Sequence, residues 1–490
     1  MEPADHATEV DPLQKDGVEG GGAAPAGQTK KRSLGLAKLT HWRTAAFFLS
    51  LFLGLTIVFA FSFIIPCPVR PQYLALWNRT FPEAATYDFL AIEDASKDKV
   101  KDVLFVLKDT EGSQNISCLD AGLETPCVYV SALAGTSGET LWERPLAPEF
   151  HWAQCGLGDV GGVCLVSHSK QLTTLLVILS GKTGDQIGSE VVLETAEITL
   201  HLLHSTGRGS DYVLLQKDSG LYAMALWKIA AQAKAGVEKG LKKDKQWESK
   251  ASDFSGLVTI YESDSLSRVL RTGKPGGVSN LLLVTRSSVE MLDGDSLSSL
   301  WRVNTSTILS EPSFGHFNKD GTPDIVVEED IGNRTKRVII LDGMTGATLW
   351  EVKLMASPNS PKPASVHTIN SFSVFMFWGL IPSEVNSTSL SGLERRSYLL
   401  YPHYSRVLLE KSNVLDHIIA FKATLLERGR HACYILLTGH EGATGTVVLS
   451  KRKLKLDVPD SRVLHIGFMS SQDTDKDIKE AFQRLRFSAE

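Results

Sequence analysis

The sequence lacks the patterns that identify common classes of enzyme and of nucleic-acid-binding protein. Its net charge is −5 over 490 residues, which gives no reason to expect a nucleic acid partner. It contains no His-Glu-x-x-His zinc motif and no Gly-x-Ser-x-Gly nucleophile turn. Closely spaced cysteine pairs of the zinc-binding kind are also missing. We therefore expect a non-enzymatic protein with no cofactor and no small-molecule substrate.

Charge is also absent from one long stretch, residues 45–65. At about 1.5 Å of rise per residue, a helix of this length spans roughly 30 Å, the hydrocarbon thickness of a bilayer. The stretch is too long for a cleavable signal peptide, and 44 residues precede it. Pro66 follows at once and ends the helix. The sequence therefore predicts a single transmembrane helix that serves as an uncleaved signal-anchor.

The flanks of this segment predict its orientation. Five basic residues lie between 30 and 43, and only Arg70 and Arg79 follow closely after the segment. Basic residues stay in the cytosol, so the chain is expected to be a type II membrane protein with an extracytoplasmic C-terminus. The expected location is the cell surface or a secretory-pathway (Golgi) membrane. Five Asn-x-Ser/Thr glycosylation sites agree with this orientation, all after the segment: Asn78, Asn115, Asn304, Asn333 and Asn386.

The composition along the chain predicts five regions. Residues 1–29 have almost no large apolar side chains, which is typical of a disordered segment. The expected regions are a disordered cytosolic tail with a basic juxtamembrane cluster (1–44), the signal-anchor (45–65), a membrane-proximal linker (66–83), a β-rich ectodomain (84–470) and a C-terminal segment with a short helix (471–490).

The six cysteines fit an oxidising compartment. Cys118 and Cys127 are nine residues apart, and so are Cys155 and Cys164. Such spacing predicts two local disulfides, each joining a hairpin or adjacent strands, with free or cross-paired cysteines as the alternative. Of the other two cysteines, Cys433 is expected in a buried strand and Cys67 at the outer membrane edge.

Short apolar runs of four to six residues, separated by turns, predict a chain of β-strands after the anchor. Several runs are followed by a glycine-centred turn and a second strand that often begins with Leu-Trp. These repeats occur at 134–143, 180–189, 293–302, 342–351 and, more weakly, 440–449. A period near 48 residues with four strands per repeat is typical of a β-propeller. We expect an all-β ectodomain with seven or eight blades, in which the tryptophans fill the space between neighbouring blades. The stretch 227–250 is expected to be a solvated insertion between blades, with an amphipathic partner-binding helix as the alternative.

Two segments carry family resemblances. Residues 341–350 resemble the PQQ-like propeller blade, and residues 314–327 resemble the FG-GAP repeat of integrin α-subunit propellers. Together with a type II anchor, they resemble the membrane proteins called "family with sequence similarity two-three-four", its A branch in particular. The segments 9–13 and 479–487 fit the same family. The resemblance covers most of residues 80–487 and implies a propeller ectodomain.

The FG-GAP-like loop is the candidate metal site. A calcium loop presents alternating oxygen ligands, and Asn318, Asp320 and Asp324 occupy three such places. His316 stands at the first position, where an imidazole is a poor ligand for a hard cation. Two interpretations remain open: a degenerate Ca²⁺ site, or a turn held by side-chain hydrogen bonds in place of the metal.

Two function classes follow. The first is a non-enzymatic membrane glycoprotein whose propeller is a protein-interaction or receptor-like platform, with partners that the sequence does not identify. The second is a lumenal enzyme with an unrecognised site in the propeller channel. PQQ-like blades also occur in quinoprotein dehydrogenases, but the vicinal cysteine pair of those enzymes is absent here. Titratable residues that converge at the channel mouth would favour the enzyme, and a broad exposed surface would favour the platform.

Overall fold

The computed structural model forms two compact parts, residues 1–70 and 71–490. It describes residues 36–64, 74–95, 99–109, 117–156, 163–170, 173–194, 198–217, 220–236, 238–251, 256–263, 265–273, 277–356, 360–380, 394–414, 417–426, 430–440, 444–467 and 473–488.

The first part contains one helix, α1 (Leu36–Ile64). Within α1, Trp42–Ser62 has a mean hydropathy of 2.3 and no buried side chain, so it is long and apolar enough to cross a membrane. The hydroxyls of Ser50, Thr56 and Ser62 donate to carbonyls three or four residues earlier, at 2.7–2.9 Å. These bonds satisfy the only polar side chains inside the apolar stretch predicted to span the membrane.

One boundary in this part was predicted wrongly. The helix begins nine residues before 45, so the end of the expected disordered tail, residues 36–44, is helical. These residues contain leucine, alanine and lysine, which favour helix, and they continue the hydrogen-bonding of the apolar segment. Residues 1–35 of the predicted tail and residue 65 lie outside the described residues.

The second part consists of antiparallel β-sheets with up to four main strands in each repeat. The first three units are unit 1 (residues 85–93 of β1, Leu76–Glu93; β2, Asp102–Asp109; β3, Cys127–Leu133; β4, Thr140–Ala147), unit 2 (β5, Glu149–Gln154; β6, Val163–Lys170; β7, Thr173–Ser180; β8, Val191–Glu194) and unit 3 (β9, Ile198–Ser205; β10, Asp211–Lys217; β11, Gly220–Ala225; β12, Val258–Glu262).

The remaining strands repeat this plan, with a short additional strand in two of the units. They form unit 4 (β13, Leu266–Arg271; β14, Leu281–Thr285; β15, Ser288–Leu292; β16, Ser299–Asn304), unit 5 (β17, Thr307–Ile308; β18, Ser313–Gly315; β19, Asp324–Asp330; β20, Thr335–Leu341; β21, Thr348–Met355), unit 6 (β22, Ala364–His367; β23, Ser373–Trp378; β24, Glu394–Leu400; β25, Val407–Val414; β29, Arg462–His465) and unit 7 (β26, Ile418–Thr424; β27, Cys433–Thr438; β28, Gly445–Lys453; residues 76–84 of β1).

The long strand β1 closes the structure. Its first half pairs with β28 and its second half pairs with β2, so one strand belongs to both unit 7 and unit 1. The register shifts between Phe81 and Ala84, and Glu83 takes a φ of 55° at this bend. The predicted linker at 66–83 is therefore wrong in its second half, because residues 76–83 form a strand. Sequence reasoning missed this because the partner strand lies at the far end of the chain.

The same closure corrects the weakest of the predicted repeats. The segment 440–449 joins β27 to β28, which are the second and third strands of unit 7. The other four turn segments join third to fourth strands. Unit 7 takes its fourth strand from β1, so it needs no such turn. The described strands divide into seven units, and the number of blades, seven or eight, stays a prediction.

The described units follow one another in a ring. The first strand of unit 1 lies beside that of unit 2, those of units 2, 3 and 4 continue the series, and β18, β22 and β26 lead back to β1. Middle strands such as β14 and β23 are buried along their whole length, because neighbouring units cover both faces. Their continuous apolar runs follow from this burial. The outer strand β16 alternates between exposed and half-buried residues.

The helices of this part lie outside the sheets. The predicted insertion contains α2 (Leu226–Gln232) and α3 (Lys245–Glu248), and it connects β11 to β12 within unit 3 rather than two blades. It is also not simply solvated, because Trp247 and Ile229 are buried in apolar clusters. The short helix α4 (Leu454–Asp457) follows β28. The predicted C-terminal helix is present as α5 (Asp475–Arg484), which Thr474 caps.

Candidate functional sites

The repeated Leu-Trp segments join neighbouring units. The indole N–H of Trp77 donates to the Gly135 carbonyl at 3.1 Å, linking unit 7 to unit 1. Between units 1 and 2, the Trp142 indole makes the same bond to the Gly181 carbonyl at 2.7 Å. Between units 4 and 5, Trp301 makes it to the Gly343 carbonyl at 3.0 Å. Trp350 continues the series with a bond to the Ser405 carbonyl at 2.8 Å. The prediction that these tryptophans fill the space between blades is confirmed.

The turn of unit 5 needs two glycines for different physical reasons. A Cβ at Gly343 would stand 2.0 Å from the Pro323 carbonyl oxygen, so the first glycine permits a close backbone approach. Gly346 has a φ of 75° and faces the ring of Trp301, so the second glycine supplies the left-handed turn and leaves room for the indole. The Thr-Gly turn signal in the sequence therefore reports contact between units as well as local turn geometry.

The boundary between units 3 and 4 uses different residues. The outer strand β12 contains no tryptophan. In place of an indole, Nε2 of His204 forms a hydrogen bond of 2.7 Å with the Gly294 carbonyl. The ring of Trp247 from α3 stacks on His204, with 5.6 Å between ring centroids. Burial lowers the pKa of His204, so a neutral imidazole that donates through Nε2 fits this contact. The insertion therefore completes the packing at a boundary where the outer strand has no tryptophan.

The candidate calcium residues do meet in space. Asp320 and Asp324 lie in the connection from β18 to β19 and at the start of β19. Asp342, which follows β20, joins them, and a carboxylate oxygen from each of the three lies within 4.8 Å of the other two. Asn318 bridges the group, since its Nδ2 donates to Asp320 at 3.1 Å and to Asp342 at 2.9 Å. Sequence reasoning missed Asp342 because it belongs to the next turn of the unit.

All six carboxylate oxygens of this cluster already accept hydrogen bonds. Those of Asp324 accept from the backbone N–H groups of Phe317, Asn318 and Gly343, at 2.7–3.2 Å. One oxygen of Asp342 accepts hydrogen bonds from the backbone N–H groups of Met344 and Thr345 and from the Thr345 hydroxyl. Asp320 accepts from the Thr322 N–H and from the Asn318 side-chain amide. A Ca²⁺ ion would need several of these oxygens and an Asn318 amide turned to present Oδ1. In the described structure these oxygens are used by donors of the protein itself, and calcium binding stays a prediction.

The electrostatics of Asp324 agree with a structural part in the turn. Burial raises its pKa to about 6, and the three backbone N–H donors counteract this effect. The carboxylate joins the loop before β19 to the turn after β20, because one oxygen accepts from Phe317 and Asn318 and the other from Gly343. Asp324 therefore connects the FG-GAP-like loop to the glycine that receives Trp301.

Both predicted disulfides are confirmed. Cys118 is bonded to Cys127 in the connection from β2 to β3, and Cys155 is bonded to Cys164 between β5 and β6. Both join neighbouring segments of one unit, as the spacing indicated. Cys433 is buried at the start of β27, as expected for a strand residue, and Cys67 lies outside the described residues.

Three of the five candidate glycosylation sites lie in the described residues, and all three are exposed. Asn78 lies on the first half of β1, Asn304 ends β16, and Asn333 lies in the turn between β19 and β20. Asn115 and Asn386 lie outside the described residues, in the chain between β2 and β3 and between β23 and β24. Glycosylation of these asparagines stays a prediction.

Comparison with known proteins gives a consistent result. A model of the FAM234A/B beta-propeller family matches residues 77–175 and 173–488. Protein FAM234A of Bos taurus is 33% identical over 99% of this chain and 99% of its own length. Protein FAM234A of Homo sapiens is 33% identical over 93% of this chain and 92% of its own. Protein FAM234B of Gallus gallus is 27% identical over 89% of this chain and 81% of its own.

Among solved structures, BamB from Moraxella catarrhalis aligns with 74% of this chain and 84% of its own, at 10% identity and a TM-score of 0.33. The family match covers most of the β-sheet part, and the identity to the bovine and human relatives extends over nearly the whole chain. The chain therefore belongs to the FAM234A/B family of β-propeller proteins.

Proposed function

We propose that this protein is a non-enzymatic type II membrane glycoprotein whose extracytoplasmic propeller is a protein-interaction platform. The exposed apolar helix and the two disulfides support a membrane-anchored protein with its propeller in an oxidising compartment. The basic residues before the helix support a cytosolic N-terminus. The surface for partners is inferred from the positions of the glycosylation sites on the two edges of the propeller.

Each edge of the ring carries different connections. The glycine-turn edge carries the connections from first to second and from third to fourth strands, including the turns at Gly135, Gly181, Gly294 and Gly343. The opposite edge carries the connections from second to third strands and those between units. In an antiparallel sheet, alternate connections lie at opposite ends of the strands.

Two candidate glycosylation sites, Asn304 and Asn333, lie at the opposite edge, and this observation carries the proposal. Asn304 is followed by Thr305, whose N–H donates at 2.8 Å to the Ser287 carbonyl in the second-to-third-strand turn of unit 4. Asn333 lies in the corresponding turn of unit 5. Asn115 and Asn386 belong to connections of the same kind in units 1 and 6. Only Asn78, on an outer strand, departs from this pattern.

Glycans on the opposite edge would leave the glycine-turn edge accessible to a protein. The insertion of unit 3 lies at this edge and presents exposed basic side chains, and these are Lys234, Lys239, Lys242, Lys243, Lys245 and Lys250. Complementary charge accelerates association and orients partners. We therefore expect the partner to present an acidic surface to this edge.

The ionisable residues near the axis support the non-enzymatic reading. The charged neighbours of Glu93 are Lys422, Lys101 and Arg271 rather than a histidine. His201 bonds instead to Gln216 at 3.2 Å, and burial lowers its pKa. Burial raises the pKa of Glu93 and the three cations counteract this effect, so this carboxyl faces cations and not a histidine that could exchange protons with a substrate.

The membrane topology is tested by a glycosidase shift on the full chain expressed in mammalian cells. We expect glycosidase treatment to increase the electrophoretic mobility, with the shift reduced stepwise by Asn304→Gln and Asn333→Gln. An unchanged mobility of the untreated and treated wild-type protein would refute the proposed orientation.

The interaction surface is tested by adding one glycan to each edge. Ser296→Asn creates a glycosylation site in the exposed glycine turn of unit 4, and Arg286→Asn creates one in the exposed turn at the other end of the same unit. Partners are identified by proximity labelling from the C-terminus of the full chain. We expect Ser296→Asn to remove specific partners and Arg286→Asn to retain them. Equal labelling by both glycosylated variants would refute the assignment of the edge.

A further inference from the structure

We propose that the centre of the propeller binds a multivalent oxyanion, of the phosphate or sulfate class, on side chains contributed by several units. This inference does not rest on the interaction platform, because it is argued from side chains on and near the first strands and not from the positions of the glycosylation sites. It rests on basic side chains from separate units that come together there.

Basic side chains from three units lie around Glu93, and they are Lys101, Arg271 and Lys422. Glu93 ends β1 in unit 1, Lys422 lies on β26 in unit 7, and Arg271 ends β13 in unit 4. Lys422 and Arg271 both act electrostatically on the Glu93 carboxyl, together with Lys101. First strands line the axis of a propeller, and units 1 and 4 are not neighbours in the ring, so Glu93 and Arg271 can interact only across that axis.

More basic side chains surround this point. Lys101 places its ammonium 3.4 Å from the Thr424 hydroxyl of β26. Lys362, just before β22, and Arg268 on β13 both contact Glu311, at 3.2 and 3.4 Å. Glu311 and Lys362 also act electrostatically on Lys422, which connects this group to the one around Glu93.

Lys422 is the central residue of the arrangement. Its side chain is exposed, yet burial by surrounding atoms lowers the pKa of its ammonium, and nearby Lys362 lowers it further. Both statements hold for a side chain that is open to solvent at its end and surrounded by protein atoms on several sides. Among the described residues, no carboxylate lies within 4.0 Å of the Lys422 ammonium. Its charge is therefore left for a ligand or for solvent to compensate.

The charge balance indicates the class of ligand. The five basic side chains Lys101, Arg268, Arg271, Lys362 and Lys422 face the two carboxyl groups of Glu93 and Glu311, so basic groups exceed acidic ones by three. A monocarboxylate would neutralise one of these charges. Phosphate or sulfate brings up to two charges and several acceptor oxygens, which lysine ammonium groups from different directions can contact together.

The test uses the detergent-solubilised full chain and isothermal titration calorimetry at constant ionic strength. Inorganic phosphate is the probe, and acetate is the monovalent comparison. We expect phosphate to bind with a dissociation constant of about 1 mM or tighter and acetate to bind at least tenfold more weakly. No heat of binding with phosphate, or equal affinity for acetate, would overturn the proposal.

Three variants separate binding from general effects of charge or folding. Lys422→Met removes the central cation, and we expect it to weaken phosphate binding about tenfold. Glu93→Gln removes an opposing carboxylate, and we expect it to tighten binding by a similar factor. Lys353→Met, on the exposed outer strand β21 of unit 5, is the matched control and should leave the affinity unchanged. Because the first two effects have opposite signs, misfolding cannot imitate the pair, and equal losses in all three variants would refute the site.

The same protein identifies the source of the oxyanion. A monosaccharide monophosphate such as glucose 6-phosphate carries the same group on a bulky ester. Competition between this ester and inorganic phosphate would support a site for phosphorylated sugars, and binding of inorganic phosphate alone would support a site for the free anion. Binding of the ester that Lys422→Met leaves unaffected would count against the axial position.

Discussion

Replacing Gly343 with alanine should destabilise the propeller at the contact between units 4 and 5. The added Cβ would stand 2.0 Å from the Pro323 carbonyl oxygen, far inside the usual contact distance, so one of the two backbone segments must move. Gly343 also makes two bonds that depend on its position. Its N–H donates to Asp324 at 3.1 Å, and its carbonyl accepts from the Trp301 indole at 3.0 Å.

The magnitude follows from those two bonds. A hydrogen bond to a charged group contributes about 1.5–3 kcal/mol and a neutral one about 0.5–1.5 kcal/mol, so weakening both should lower the free energy of unfolding by roughly 2–4 kcal/mol. For a β-sheet part of this size, the unfolding entropy converts that loss into a fall of about 2–5 °C in melting temperature.

The assay compares melting temperatures of the full chain in detergent at one heating rate, because large proteins often unfold irreversibly. Gly273→Ala is the matched control, since a Cβ there would meet no atom within 4 Å and no positive φ is involved. Gly321→Ala tests backbone strain alone, because Gly321 has a φ of 81° in open space. A Gly343→Ala protein that melts within 1 °C of both wild type and Gly273→Ala would refute the proposed close contact.

Three further predictions concern the same contacts. Trp142→Phe keeps an aromatic ring but removes the indole bond to Gly181, so thermal melts should show a loss of about 1–2 kcal/mol, and an unchanged melting temperature would contradict that bond. The pKa of Asp324 is raised to about 6, so the native state holds this proton more tightly than the unfolded chain does. The contribution of the protonated Asp324 to stability therefore falls as pH rises from about 4 to 6. The stability deficit of Asp324→Asn relative to wild type should shrink over that range, and a constant deficit would argue against the raised pKa. Every carboxylate oxygen of the loop accepts a hydrogen bond from the protein. We therefore expect 1 mM Ca²⁺, added after chelation, to shift the melting temperature by less than about 1 °C. A larger rise that Asp320→Asn abolishes would show that the ion binds.

The fold was largely predictable because its signals are local. An uncharged apolar stretch indicates a membrane helix without reference to the rest of the chain, and cysteines nine residues apart can meet within one unit. The glycine turns and the Leu-Trp segments recur because several neighbouring units meet in the same way, through an indole bond to a glycine carbonyl. Closure of the ring through β1 could not be seen, because the first half of that strand pairs with residues more than 360 positions later.

The acidic cluster shows a similar division. The spacing of Asn318, Asp320 and Asp324 indicated a loop that gathers oxygen atoms, and the structure brings them together. Asp342 was missed because it comes from a different connection of the same unit. Whether such a loop holds an ion or its own hydrogen bonds depends on where the backbone N–H groups point, and spacing does not specify that direction.

The long apolar helix, the β-propeller class, the two disulfides and the candidate glycosylation sites could be predicted from the sequence, because each depends on residues close together in the chain. The position of Asn304 and Asn333 at one edge of the ring, and the basic side chains around Glu93, follow from the tertiary structure. Lys422 and Arg271 are 151 positions apart in the chain, yet both act on the same carboxyl. Such proximity arises when the ring closes, since first strands that run in the same direction bring their side chains to one axis.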